Sequence, residues 1–378
     1  MVSKINNINY SQTCSALKAE KVIIWKPGKG WTYSHHPHIT FFNNEFCAMW
    51  SNAWVDEDAP GQRVMWSKSS DFYHWDAPTP LIDSQNGELS ELVLTPAGFH
   101  QFDGRLVAYY GQYEYSVPVS YEDELSGGRK THLRTALKAI TCDRETPWVW
   151  SKPVDMNLPI VPNHGPQRTS SGRLIISGNI SFPYTDDPTG LSGWKMTGIY
   201  PESMGAALKD DSEGFWAVKR KMNWPVGLCE GSFYETADHT LHMLLRSTGK
   251  NFSGKLWLTE SVDDGTTWSS PSELNFSDNG SKFHFGHLPD GRVYYVGTPD
   301  VNPPKVRRPL VLSISEDSYS FTKHYVVSDD DYIQSRGGWF KYALFGYPHT
   351  LIVDGYLYII ISLRTEAIAV YRIQIADL

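Results

Sequence analysis

The chain has 378 residues, 40% hydrophobic and 20% charged, with a formal net charge of −8. That acidic balance lacks the basic footprint on which nucleic-acid binding rests. No run of about 18 apolar residues is present, so no membrane-crossing helix is expected, and the opening MVSKINNINYSQTC has no apolar secretion-signal core, which makes the cytoplasm the expected location.

Helical periodicity is nearly absent. Short runs rich in Val, Ile, Tyr, Phe and Trp alternate with Gly, Asp, Asn and Pro turns, the pattern of an all-β chain. In chain order the first strand is KVIIWKPG at 21–28. Six hairpins of one kind follow: FFNNEFCAMW at 41–50, FDGRLVAYY at 102–110, SSGRLIISG at 170–178, TADHTLHMLL at 236–245, PDGRVYYVG at 289–297 and VDGYLYIII at 353–361. Asn-Asn and Asp-Gly supply the positive φ that tight hairpin turns require. The copies begin 53 to 68 residues apart, and each is followed by a second hairpin. Four strands per unit at this period is the propeller pattern. The expectation is one domain over 1–378, a β-propeller of six blades of four antiparallel strands, or seven if 113–160 hides another. The 21–28 strand would then complete the last blade and protect both terminal edges.

Within the fourth unit, SVDDGTTW at 261–268 has the form Ser-x-Asp-x-Gly-x-Thr-Trp, called the Asp-box. Ser and Asp can bond the turn's own backbone, Gly takes positive φ and Trp packs into the blade. Asp263 and Trp268 are therefore read as structural. Degenerate copies are SKSSDFYHW at 67–75 and SISEDSYSF at 313–321. Cys14, Cys47, Cys142 and Cys229 form no CxxC pair, so neither a zinc nor a redox motif is present and free thiols are expected.

With these units placed, the chain from about residue 30 onward resembles the sialidase superfamily. The likeness is strongest over CEGSFYETADHTLHMLLRSTGKNFSGKLWLTESVDDGTTWSSP at 229–271. There Glu230 falls on the family's glutamate and Arg246 on its second arginine. In HLPDGRVYYVGTPDVNPPKVRRPLVLSISED at 287–317, Arg308, with Arg307 as the second choice, falls on the third arginine. In FGYPHTLIVDGYLYIIISLRTEAIAVYRI at 345–373, Tyr347 falls on the nucleophilic tyrosine. The resemblance implies a tyrosine nucleophile whose proton a carboxylate takes, with arginines holding a substrate carboxylate.

The chain departs from that family at YSHHPHITFF, 33–42, where His35 stands in place of the first arginine. The acid/base aspartate has no clear counterpart in NAWVDEDAPGQRVMWS at 52–67, where Asp56, Glu57 and Asp58 are candidates and Arg63 is a candidate substrate-binding residue. Simple strand alternation puts His36 and His38 on one face and His35 on the other. Histidine suits proton transfer near neutral pH, so His35 and His36 join Tyr347 and Glu230 as catalytic candidates. Two same-face histidines without a third ligand do not make a zinc site, and no metal or cofactor is expected. NHGPQRTSSGR at 163–173 adds His164, Gln167 and Arg168 as polar groups just before an inner strand, with His164 and Gln167 expected to bind substrate.

A looser likeness connects the chain to sialidase-like propellers acting at rhamnose linked to glucuronate or on ulvan, some hydrolases and some lyases. It rests on the His-rich first unit, Tyr347, Arg246 and Arg308. The expected function is an exo-acting glycoside hydrolase on a terminal acidic sugar. A uronate lyase using His and Tyr as acid and base, and a non-catalytic sugar-binding propeller, are the alternatives.

Overall fold

The computed structural model describes residues 4–7, 14–116, 132–200, 222, 224–249, 251–338 and 341–378. Two leading strands, β1 (Cys14–Ala16) and β2 (Glu20–Trp25), precede six sheets among the described residues. The first sheet holds β3 (Tyr33–Phe42), β4 (Glu45–Ala53), β5 (Arg63–Ser69) and β6 (Thr79–Ile82). The second holds β7 (Val93–Phe102), β8 (Arg105–Tyr115), β9 (His132–Asp143) and β10 (Val154–Asp155). In the third, β11 (Gln167–Arg168), β12 (Leu174–Ile175) and β13 (Tyr184–Thr185) are extended by a Tyr184–Lys195 bridge. The fourth holds β14 (Gly227–Glu235), β15 (Leu241–Thr248), β16 (Lys255–Ser261) and β17 (Ser272–Ser277). The fifth holds β18 (His284–His287), β19 (Val293–Gly297), β20 (Leu310–Ser315) and β21 (Phe321–Ser328). The sixth holds β22 (Phe345–Val353), β23 (Tyr356–Leu363) and β24 (Ala367–Gln374). The six hairpins read from the sequence are the first-to-second strand hairpins of these six sheets.

The sixth sheet takes its outer strand from β2, which runs antiparallel to β24 and completes the blade as the sequence leads one to expect. Strand β1 pairs in parallel with β21 on the outside of the fifth blade. Most second strands are apolar on both faces because a blade is covered on both sides. In β23, Leu357, Ile359 and Ile361 pack toward the fifth blade. Tyr358 and Ile360 pack toward the first. Likewise Met243 and Leu245 of β15 face the third blade, and Leu244 the fifth. Further layers join blades one to two and two to three, so every adjacent pair shares a buried apolar layer and the ring closes into a six-bladed propeller.

The Asp-box forms the turn between β16 and β17. Asp263 Oδ1 accepts the Thr267 amide at 2.8 Å, Ser261 Oγ accepts the Gly265 amide at 2.8 Å, and Trp268 Nε1 donates to Gly265 O at 3.1 Å. The copies at Asp71 and Asp317 cap their turns in the same way. A further one went unread in the third blade, where Asp187 accepts the Thr189 amide at 3.0 Å and Trp194 Nε1 reaches Gly190 O at 3.1 Å. Its spacing is stretched, which hid it from a fixed pattern.

Four inner strands are interrupted by a bulge at the same height, at His35/His38, Pro96/Phe99, Cys229/Ser232 and Gly346/His349. Each bulge holds a residue with positive φ: His36 at 52°, Gly98 at 94°, Glu230 at 53° and Tyr347 at 60°. In the second blade this residue is glycine because the backbone of Gly165 lies against it. A Cβ on Gly98 would sit 2.3 Å from Gly165 N and 2.5 Å from its Cα. Gly98→Ala therefore adds a backbone clash to left-handed strain, and is expected to cost at least about 2 kcal/mol. Chemical denaturation with an unchanged m-value checks this; a loss below about 0.5 kcal/mol would show that the two blades separate freely there.

Candidate functional site

A cavity of about 460 Å³ draws its lining from every blade, including His36, Thr95, Asn179, Glu230, Arg307 and Tyr347, and therefore lies on the propeller axis. Three of these residues, His36, Glu230 and Tyr347, are bulge residues. A bulge re-aims a side chain that regular alternation would send elsewhere. A non-glycine residue at positive φ persists only where surrounding structure holds it. The neighbouring blade does so twice: the Glu230 amide donates to Asn179 Oδ1 at 3.2 Å, and the Tyr347 amide donates to Ser281 Oγ at 3.5 Å.

At the cavity wall the Tyr347 hydroxyl donates to Glu230 Oε1 in a short hydrogen bond. Arg246 Nε is ion-paired with Glu230 Oε2, and Arg246 Nη2 donates to Tyr347 Oη at 3.2 Å. Arg307 Nη2 donates to Gly280 O at 2.8 Å, and Arg246 Nη1 donates to the same carbonyl. One backbone oxygen thus holds both guanidinium groups beside the tyrosine, 5.7 Å (Arg246) and 5.6 Å (Arg307) from its ring centroid. Burial pushes the Tyr347 phenol well above its usual range; Arg246 and Arg307 pull it back, and Glu230 and Glu57 push it further up.

Two histidines cover the other side of Tyr347, His35 at 4.0 Å and His36 at 5.1 Å between ring centroids. Ser362 Oγ donates to Gly346 O at 3.0 Å, so it accepts from His35 Nδ1 at 2.6 Å, which fixes that nitrogen as the protonated one. Burial drives His35 far below its ordinary range, so it is a neutral ring. Ser51 Oγ donates to His35 O at 3.0 Å and hence accepts from His36 Nδ1 at 2.9 Å. His36 Nε2 lies 3.1 Å from Glu57 Oε1. With Nδ1–H engaged on Ser51, the Nε2 side of His36 faces the Glu57 carboxylate.

The structure brings together Tyr347, Glu230, Arg246, His35 and His36 from the sequence reading, with Arg307, Glu57 and Asp58, and leaves Arg308, His164, Gln167, Arg168, Arg63 and Asp56 off the cavity wall. The bulge overturns the alternation expected for the first blade: His35 and His36 both reach the cavity, and His38 turns into the channel interior. Arg308 is not the third arginine; it binds Asp329 Oδ1 and O at 2.8 Å on the outside, while Arg307, at φ 56°, points inward. His164 lies below the cavity, buried, with Nε2 on Phe283 O at 2.9 Å. Arg63 lies over Trp31, 3.7 Å from its ring centroid, with Nε on Asn52 Oδ1 at 3.1 Å. Gln167 on β11 does not line the cavity, and Arg168 caps its own hairpin through Gly172 O at 3.2 Å. Of the three acidic candidates, Glu57 and Asp58 line the cavity and Asp56 does not.

Two residues went unread. Lys282, buried 5.7 Å from the Tyr347 ring centroid, is pushed down to about 7 by burial. Asp278, whose Oδ1 accepts the Gly280 amide at 2.9 Å, is pushed up to about 7 by burial. Both sit in SDNGSKFHF at 277–285, which lacks any motif; the only signal was a lysine inside a strand-like run.

A family model described as a BNR repeat-like domain matches residues 44–359. No curated protein matches by sequence. Among solved structures, a protein of unknown function from Dyadobacter fermentans DSM 18053 is similar at 15% identity and a TM-score of 0.64, over 94% of this chain and 98% of that one. Trypanosoma rangeli sialidase in complex with 2,3-difluorosialic acid, a covalent intermediate, is similar at 14% identity and a TM-score of 0.62, over 96% of this chain and 60% of that one. NanB sialidase from Streptococcus pneumoniae, as its K499G mutant, is similar at 12% identity and a TM-score of 0.61, over 94% and 71%. This chain spans 34% of one further matching sialidase. At these identities the likeness speaks for the fold.

Proposed function

We propose that this chain, which belongs to the family of BNR repeat-like domains and is similar in fold to solved sialidases, is a glycoside hydrolase cleaving at a terminal acidic sugar. The observation that carries this reading is the hydrogen-bonded Tyr347–Glu230 pair with Arg246 and Arg307 fixed beside it on an axial cavity. Tyr347 Oη attacks the anomeric carbon as its proton passes to Glu230, and the bond to the leaving oxygen breaks as the His36–Glu57 unit protonates that oxygen. Water, deprotonated by the same unit, then cleaves the sugar–tyrosine bond, and the proton on Glu230 returns to Tyr347. Arg246 and Arg307 hold the sugar carboxylate, and His35 stands where the sialidase resemblance puts the first arginine, neutral and smaller. That smaller, uncharged wall favours a uronate-type sugar over one needing three cationic arms.

A lyase reading draws support from His35, a neutral imidazole 4.0 Å from Tyr347 between ring centroids: one group removes the proton next to the carboxylate and the other protonates the leaving oxygen. A screen of uronate-containing and sialylated glycans decides between them. New reducing ends without ultraviolet absorbance are expected; absorbance from a product double bond selects the lyase, and affinity without turnover selects a binding module. Arg307→Ala is expected to weaken acidic-glycan binding roughly 10- to 100-fold, through loss of a charge-assisted contact, and neutral glycans little. Equal losses on both would assign Arg307 to the framework instead.

A further inference from the structure

Beneath the cavity, at the level of the inner strands, four histidines from four blades meet on the axis: His38, His164, His284 and His349. His38 is completely buried, and neither ring nitrogen has a hydrogen-bond partner. His164 uses Nε2 on Phe283 O at 2.9 Å, which makes Nε2–H the donor and leaves a lone pair on Nδ1, itself buried without a partner. His349 has one long contact, from the Ile39 amide to Nδ1 at 3.4 Å. One ring nitrogen each from His38, His164 and His349 lie within 4.8 Å of one another. His284 stacks on His349 at 4.8 Å and is fixed through Nδ1 to Thr350.

Buried polar groups without partners are rare and call for an explanation. Here they converge, they are imidazoles, and one already shows the outer hydrogen bond that orients a metal-bound histidine. We propose that His38, His164 and His349 bind one divalent transition-metal ion, zinc by ligand type, in the propeller channel. Histidine nitrogens ligating one ion sit ~2 Å from it, a spacing compatible with three nitrogens within 4.8 Å of one another. Burial keeps the histidines far below their ordinary range, hence neutral and able to ligate. The opposing charge nearby is Lys282, which burial pushes down to about 7.

The ion has a task defined by chain position. His38 follows the bulge residue His36 by two positions, and His349 follows Tyr347 by two. A metal joining them to His164 of the third blade ties the footing of both strained turns to one point. The second group of possible ligands, His35, His36 and Glu57, is the weaker candidate, because His36 Nδ1 and His35 Nδ1 are already engaged by serines and His36 Nε2 by Glu57. The inference does not depend on the proposed reaction, since its readout is metal content.

The test uses the full chain, stripped with chelator, dialysed and titrated with Zn²⁺ and separately with Co²⁺. One equivalent per chain, a raised melting temperature and the intense visible bands of four-coordinate Co²⁺ are expected. His38→Phe and His164→Phe should each weaken Zn²⁺ binding at least ~100-fold, beyond the loss typical of an outer-shell change, and His36→Gln should leave it intact. Should the phenylalanine variants not fold, His38→Gln and His164→Gln keep a polar side chain and serve in their place. No uptake by the wild-type chain, or uptake that survives the channel variants and disappears with His36→Gln, overturns the proposal.

Discussion

Tyr347→Phe is expected to lower turnover on the acidic glycan proposed as substrate at least ~100-fold while the protein still folds. The ring lies 4.0 Å from His35 between centroids, and that packing is unchanged by losing one oxygen. What disappears is the hydroxyl that donates to Glu230 and accepts from Arg246 Nη2 at 3.2 Å. Glu230 then loses one of two partners, which costs about 1–3 kcal/mol and lowers the melting temperature modestly. A hydroxyl that only positions substrate through one hydrogen bond would cost roughly 10-fold, the kinetic equivalent of ~1.4 kcal/mol. Steady-state kinetics alongside thermal unfolding separates the two cases. Near-normal turnover would move the chemistry to His36 and Glu57.

Arg246→Ala is expected to be the most destabilising change at the site, by about 3–5 kcal/mol, because it strands a carboxylate in a nearly closed wall. The Arg246 and Glu230 side chains are 14% and 11% exposed, so solvent screens their ion pair little. The guanidinium also leaves Gly280 O with Arg307 alone. Urea unfolding of the single variant and of Arg246→Ala/Glu230→Gln measures the coupling. The double variant should recover most of the loss, since a neutral amide replaces the stranded charge. If the single variant loses under 1 kcal/mol, Glu230 relaxes to water or takes up a proton, and the pair is no fixed element of the site.

The fold was legible because its signals are local. Asn43-Asn44, Asp103-Gly104 and Asp354-Gly355 all adopt positive φ in the hairpin turns, and the sequence writes that requirement directly. The strand at 21–28 was assignable to the last blade because a ring of blades is closed when its leading strand pairs with its last sheet. The candidate site was legible only where a resemblance supplied positions for Tyr347, Glu230 and Arg246, which the structure brings together. Alternation failed at His36, because a bulge is a one-residue event that period-two reasoning cannot register. In hindsight a pattern marks three of the bulges: His36-Pro37-His38, Glu230-Gly231-Ser232 and Tyr347-Pro348-His349 each set Pro or Gly after the positive-φ residue. Arg307 and Arg308 are neighbours, and which one faces inward depends on a backbone turn invisible in the letters. His164 was placed on the right axis and at the wrong depth.

The closure of the sixth blade by β2 also sets an order of events on the ribosome. Glu20 of β2 binds Arg372 of β24, and the two residues are 352 positions apart. At about 5–20 residues per second, β2 waits on the order of 20 to 70 s for its partner to be made. Throughout that wait an apolar strand edge stands open to any passing chain. Glu20 and Lys21 at the head of that strand put charges on the waiting edge, so the segment that locks the finished ring carries its own guard while the ring is being made.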